Sequence, residues 1–338
     1  MIKFGVIGYG YWGPNLVRNF MNAPGATVLM VCDKREERLK LVREQYSEVE
    51  VVTDHQLLIQ HPQIDAVIIA TPVSLHFDLA MAALKAGKHV FIEKPMTETT
   101  VQARQLIEEA ERRHRVLMVD HTFIYTGAIK KIRELLDADE LGDIYYYDSV
   151  RINLGLFQHD VNVIWDLAVH DVAIMDYILP FKPVAVAAHG LSHVPHQPEN
   201  IAYLTIYFDQ RIIAHIHVNW LAPIKIRHSI LGASKKMVVY DDLDKNAPVK
   251  VYDKGLSRPP TESDLHEILL RYRFGDMWAP HIDGTEPLRL IAQHFSDCIR
   301  NQTRPKTDGI VGLRTVNILE TATRSMHQES KILTLGEI

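Results

Sequence analysis

Two cysteines, Cys32 and Cys298, are too few in 338 residues to staple a fold, so packing and not disulfides must hold the chain together. No uninterrupted apolar run is long enough to span a bilayer. Positive charge is not in excess either. Against 42 Asp and Glu, 37 Lys and Arg leave a net charge of −5, which gives no basic field for nucleic acid or an anionic membrane. Internal repeats and low-complexity stretches are also missing. The opening Met1-Ile2-Lys3-Phe4-Gly5 runs straight into an apolar strand and leaves no room for a secretory leader, so a cytoplasmic protein is expected. What remains is ordinary globular material: 47% hydrophobic, 23% charged, and long enough for two domains.

The first third alternates strands with helices. A compact apolar strand, Ile2 to Ile7, is followed at once by Gly8-Tyr9-Gly10-Tyr11-Trp12-Gly13 and by Pro14, which suits a first helical turn. A G-x-G-x-x-G loop between strand and helix lets backbone approach a pyrophosphate, which rests on the helix N-terminus. Gly8, Gly10, Tyr11, Trp12 and Gly13 are therefore cofactor-binding candidates. A second strand, Thr27 to Cys32, ends in Asp33, about 20 residues past the last glycine, where a ribose-binding acid belongs. Lys34 and Arg35 follow, either as a solvated helical turn or as a clamp for the extra phosphate of NADP. A carboxylate about 4 Å from a phosphate costs roughly 4 kcal/mol per unit charge at intermediate dielectric. Exposed cations return only about 0–1 kcal/mol each. NAD is expected over NADP.

Alternation continues through helix Glu36 to Tyr46, strand Val49 to Val52, helix Asp54 to Gln60 and strand Ala66 to Ala70. It then runs through Thr71-Pro72 and a helix ended by Gly87, to Val90-Phe91-Ile92-Glu93-Lys94-Pro95. Pro95 cannot extend a ladder, so Glu93 and Lys94 stand at the carboxyl end of a strand, the edge where ligands bind in open α/β sheets. A helix from Thr100 to His114 and a strand from Val116 to Val119 complete a doubly wound parallel sheet, assigned to residues 1–120.

Residues 121–338 read as a second α/β domain with a large open, mostly antiparallel sheet. A helix near Ile129 to Leu136 precedes strands Ile144 to Asn153, Val184 to His189, Ile201 to Phe208, Ile212 to Trp220 and Ile226 to Leu231. Asp253 to Glu262 reads as a mobile loop, and helices around Leu288 to Arg300 and Val311 to His327 finish the chain. A sheet with helices on one face leaves the other to find a partner, so a homo-oligomer, dimer or tetramer, is expected. In a helix from Trp165 to Leu179, Asp166 and His170 are four apart and share a face. An imidazole beside a carboxylate is a base near neutral pH, although Asp166 would also serve as a helix cap. The chain has 18 histidines, but His189, His193 and His196 lack cysteine or acid support, so no metal site is expected.

Gly8-x-Gly10-x-x-Gly13, Glu93-Lys94-Pro95 and Asp166-x-x-x-His170, in this order, resemble the glucose–fructose oxidoreductase / inositol dehydrogenase (Gfo/Idh/MocA) family over nearly the whole chain. The resemblance implies a Rossmann domain with a mixed α/β domain whose open sheet mediates oligomerisation. It implies Lys94 as the active-site lysine and Asp166 with His170 as the substrate-domain pair. Thr71, Pro72, His76 and Glu93 then belong to the nicotinamide side. His170 would take a hydroxyl proton while a sugar carbon loses hydride to NAD and Lys94 steadies the alkoxide. Arg151-Ile152-Asn153-Leu154-Gly155 and Asp160-Val161-Asn162 look like the members that oxidise UDP-linked amino sugars at carbon 3. On that reading Arg151, Lys225 and Arg227 could meet a diphosphate, and Tyr125 or Trp278 could stack on a ring, with Asn153 and Asn162 beside them. A free sugar, inositol, or an NAD-dependent glycosidase on the same scaffold are the alternatives, as is a sensor that binds NAD without catalysis.

Overall fold

A computed structural model describes residues 1–155, 161–256 and 272–338. These divide into two compact units, Met1–Tyr125 with Thr285–Glu320 and Ile338, and Thr126–Gly284 with Thr321–Glu337. The chain therefore does not break once at residue 120, as the expected domains 1–120 and 121–338 would have it.

The first unit is built on a six-stranded sheet of β1 (Ile2–Ile7), β2 (Ala26–Cys32), β3 (Glu50–Val52), β4 (Ala66–Ile69), β5 (His89–Glu93) and β6 (Leu117–Asp120). Its order is β3-β2-β1-β4-β5-β6 and every pair is parallel. All four residues of β4 and Val90 to Ile92 of β5 are fully buried, as befits strands covered on both faces. Helices α1 (Gly13–Met21), α2 (Glu36–Gln45), α3 (His55–Ile59), α4 (His76–Lys85) and α5 (Thr100–Arg112) connect the strands. Asp54 and Thr99 cap α3 and α5 by accepting from backbone N–H groups.

The return of residues 285–320 has a packing cause. Phe295 projects from a later helix, Pro287–Asn301, into a cluster with Phe4, Phe20 and Phe91, with centroids 5.6 to 6.3 Å from its own. Such aromatic pairs add about 0.5–1.5 kcal/mol each beyond their burial. Thr307 also caps the open edge of β6, donating from Oγ1 to the Val119 carbonyl while its own carbonyl accepts from the Val119 N–H.

The second unit carries α6 (Gly127–Asp137), a π-helical turn Ile164–Ala168, α7 (Val169–Ile178) and a nine-stranded sheet. Its strands are β7 (Ile144–Leu154), β8 (Pro183–Leu191), β9 (Ile201–Phe208), β10 (Ile213–Asn219), β11 (Leu221–Ala233), β12 (Met237–Asp241), β13 (Val249–Leu256), β14 (Tyr272–Trp278) and β15 (Leu333–Thr334). The order is β14-β13-β12-β11-β7-β10-β9-β8-β15, antiparallel except for β7 with β10. The parallel pair has a simple origin. β10 and β11 flank β7 on opposite sides, so the chain crosses the end of β7 at Trp220, whose carbonyl accepts from the Gly155 N–H.

Strands β12 to β14 lie where no strand was expected. Asp253 to Leu256 belong to β13, and the rest of the stretch read as a loop to Glu262 lies outside the described residues. Among the described residues two further helices follow, α8 (Pro287–Asn301) and α9 (Gly309–Met326), the latter starting among residues of the first unit.

Tyr147, Ser149 and Arg151 all point to the buried side of β7. Arg151 is 3% exposed and holds Asp171 of α7 through Nε at 2.6 Å and Nη2 at 3.2 Å, while Ser149 Oγ donates to the same carboxylate at 2.7 Å. Helix and sheet are thus joined by a buried ion pair. Removing one partner of such a pair strands the other charge. Arg151→Met is expected to lose about 3–5 kcal/mol of unfolding free energy in urea, and Arg151→Met/Asp171→Leu to recover most of it. Near-wild-type stability of the single variant would contradict the assignment.

Candidate functional site

The carboxyl edge of the parallel sheet gathers most of the expected cofactor residues. Gly8 has φ +99°, and a Cβ there would strike the Ala70 carbonyl; a Cβ on Gly13 would strike the Gly8 carbonyl. The loop therefore admits only glycine at these points, leaving backbone exposed as a phosphate cradle requires. Asp33 accepts from the Tyr9 N–H at 2.8 Å, fixing the loop to the end of β2. It also accepts from Arg35, through the backbone N–H at 2.9 Å, Nε at 3.1 Å and Nη2 at 3.2 Å. Burial raises Asp33, but these hydrogen bonds outweigh it and hold the carboxyl below its ordinary range. Asp33 is thus ionised and an acceptor. Arg35 folds back on that acid.

Tyr11 is 91% exposed and stacks beside Trp12. The Trp12 Nε1 donates to Asp120 at the end of β6, at 3.3 Å, and Thr122 Oγ1 donates to the same carboxylate at 2.7 Å. Asp120 is paired in register with Glu93. Burial, then the Asp120 charge and its hydrogen bond, push Glu93 well above the ordinary carboxylate range. Its ionisation is thus opposed, and Lys94, next along the chain, is half-buried. Thr71 Oγ1 and Glu93 Oε1 are buried without a hydrogen-bond partner among the described residues. The glycine cradle, the ionised acid at the end of β2 and these unpartnered polar atoms fit a dinucleotide.

His76 needs a correction. It is 1% exposed, with Nε2 2.9 Å from the Thr71 carbonyl and Nδ1 2.8 Å from that of Pro95. With both ring nitrogens already set against backbone carbonyls, it holds no orphaned atom for a cofactor. Pro72 stands just before the short 3₁₀ turn Val73–Leu75 that leads into α4.

In the second unit Asp166 and His170 are both half-buried. The π turn, closed by Val169 N–H to the Ile164 carbonyl, widens the turn, so four-residue α-helical spacing does not by itself put them on one face. Trp220 Nε1 orients Asp166, donating to Oδ2 at 2.9 Å. Asn153 Nδ2 lies against the Gly155 backbone, close to the Trp220 ring.

Other substrate candidates have structural duties. Arg151 is buried against Asp171, because burial of its guanidinium demands a counter-charge. Asn162 caps the π turn, accepting from Ile164 N–H at 3.1 Å and donating to Glu199 at 3.2 Å. Tyr125 belongs to the first unit, 2% exposed, its hydroxyl 3.5 Å from Thr307 Oγ1. Trp278 has Lys236 Nζ 6.0 Å from its ring centroid. Lys225 is exposed, in the irregular part of β11, and Arg227 pairs with Asp242 at 2.9 Å. Asp160 lies outside the described residues. Among the described residues no cluster of His, Cys, Asp and Glu is arranged to hold a metal, and no helix is long and apolar enough to cross a membrane.

Comparison with known proteins gives a consistent pattern. Residues 2–121 match the family model described as "Oxidoreductase family, NAD-binding Rossmann fold", and residues 129–238 match the "GFO/IDH/MocA C-terminal domain". The uncharacterised oxidoreductase YdgJ of Escherichia coli is 36% identical over 149 residues, which is 44% of this chain and only 42% of that protein's length. scyllo-Inositol 2-dehydrogenase (NAD(+)) of Bacillus subtilis is 24% identical over 320 residues, 90% of this chain and 88% of that one. Among solved structures, UDP-N-acetylglucosamine 3-dehydrogenase GnnA of Acidithiobacillus ferrooxidans superposes with a TM-score of 0.81 at 24% identity, covering 98% of this chain and 99% of that one. That last likeness is one of fold.

Folding raises the Glu93 value, so the stability this group lends is fully present below its ordinary value of 4.5 and is lost as pH rises through the raised one. Glu93→Gln, which cannot ionise, is expected to flatten the fall of melting temperature with rising pH. A pH profile unchanged from wild type would show Glu93 ionised throughout.

Proposed function

The chain belongs to the Gfo/Idh/MocA oxidoreductases, and from that premise we propose that it moves a hydride between a secondary alcohol of a sugar or cyclic polyol and NAD. The observation that carries this reading is the end of β5. There Lys94 follows a carboxyl whose ionisation burial and Asp120 oppose, at the same sheet edge as the glycine loop and Asp33. NAD, when bound, supplies the carbon that accepts or gives the hydride. Asp33 would hold a ribose hydroxyl, and the glycine loop the pyrophosphate. Lys94 would steady the alkoxide as the hydroxyl proton leaves. In the second unit His170 is the proposed base and Asp166, oriented by Trp220, the carboxylate that supports it.

An uncharged polyol is the substrate class that these residues support best, because Arg151 and Arg227, two of the cations expected for a diphosphate, are engaged with Asp171 and Asp242. The second reading, oxidation at carbon 3 of a UDP-N-acetyl amino sugar, takes the activity named for the Acidithiobacillus enzyme, which shares this fold. An NAD-dependent glycosidase would release sugar without net NADH.

A second copy of the chain is the proposed partner, as a dimer or tetramer. One face of β8 to β10 exposes Leu191, Tyr203 and Ile213, with His215 and His217 between them. A monomer by light scattering would remove that part.

Incubating the protein and NAD with inositols, free sugars and UDP-sugars, and following NADH, separates the substrates. Lys94→Ala and His170→Ala are each expected to lower kcat by about 10²- to 10⁴-fold with little change in NAD affinity. Wild-type turnover in either variant would defeat its assigned role.

A further inference from the structure

Three successive strand ends of the parallel sheet carry polar side-chain atoms buried without a hydrogen-bond partner among the described residues. They are Thr71 Oγ1 after β4, Glu93 Oε1 at the end of β5, and both ring nitrogens of His121 after β6. His121 is the extreme case. It is 2% exposed and close enough to Lys94 to feel its charge. Burial first, and Lys94 second, push the imidazole down to about 3, so the ring is neutral, with one N–H and one bare nitrogen. Packing alone returns nothing for two orphaned nitrogens; a ligand that both donates and accepts does.

The strand order identifies the ligand. The glycine loop follows β1, and Asp33, the ribose acid, follows β2, so the adenosine half belongs on the β1-β2-β3 side. The other nucleoside of the dinucleotide falls to β4, β5 and β6, where the orphaned atoms stand in a row. We propose that His121 is a binding residue for the nicotinamide nucleoside, hydrogen-bonding its carboxamide or its ribose hydroxyls. The nucleoside offers amide and hydroxyl donors as well as carbonyl and hydroxyl acceptors, the two kinds of group that a neutral imidazole needs.

This inference rests on the NAD-linked reading above, and binding measurements keep the two apart. The full-length wild type, His121→Phe and His121→Asn are compared by ligand-free melting temperature and by calorimetric Kd for NAD and for ADP, which lacks the nicotinamide nucleoside. Phe removes two unsatisfied polar atoms, so the ligand-free protein should melt no lower than wild type. Its Kd for NAD should rise about tenfold while its Kd for ADP stays unchanged, and Asn, which restores a donor and an acceptor, should recover most of the NAD affinity. Three results would overturn the proposal: both variants binding NAD like wild type, both losing NAD and ADP alike, or both melting several degrees lower with NAD affinity intact. A wild type that fails to bind NAD would overturn the broader reading too; a wild type that binds it beside unaffected variants overturns only the role of His121.

Discussion

Two carboxyl groups set in register on neighbouring strands govern the first unit. Glu93 and Asp120 end β5 and β6 at the same level, Asp120 buried and Glu93 half-buried. Two ionised carboxylates about 4 Å apart would repel by roughly 4 kcal/mol even at an effective dielectric of 20. The push falls on Glu93, which burial and Asp120 raise well above the ordinary carboxylate range. Trp12 of the glycine loop and Thr122 beyond β6 both donate to Asp120, and Lys94 leaves β5 beside Glu93. The less negative charge Glu93 carries, the more of the neighbouring cation's field is left for charge that develops on a substrate oxygen.

The second unit solves a related problem by chain crossing and buried charge. Trp220 sits where the chain passes the end of β7, fully buried, and its indole N–H aims at Asp166. The same strand sends Arg151 inward to Asp171 on α7, the helix that carries His170. The base proposed for proton transfer therefore stands on a helix tied to the sheet by an ion pair with two parallel hydrogen bonds. Such pairs add little net stability but fix geometry well. Rigid placement of this kind is what proton transfer needs.

Local signals were legible in the sequence and register was not. Strand, glycine loop, helix and a ribose acid about 20 residues on form one contiguous pattern, so Gly8 to Asp33 could be read without tertiary information. Lys94 was legible too, because Pro95 ends its strand. Asp120 and His121 lay in view after a predicted strand. Their importance comes from neighbours on β5 and from the orphaned nitrogens, which no spacing reveals. Arg151 was read as a candidate for a diphosphate because arginine is usually exposed. The period-two burial of Tyr147, Ser149 and Arg151 was the signal against it. Asn162 could have been recognised as a cap, since it stands just before a helical turn. The π turn carries no sequence signature, and with it went the simple argument for Asp166 and His170.

The protonation of Glu93, which burial and Asp120 favour, is open to direct observation. An infrared difference spectrum between wild type and Glu93→Gln at neutral pH isolates that one carboxyl group. A protonated-acid carbonyl stretch present in wild type and missing from the variant is the expected result. If only ionised-carboxylate bands change, Glu93 carries a negative charge beside Lys94, and the electrostatic arrangement described for this edge of the sheet is wrong.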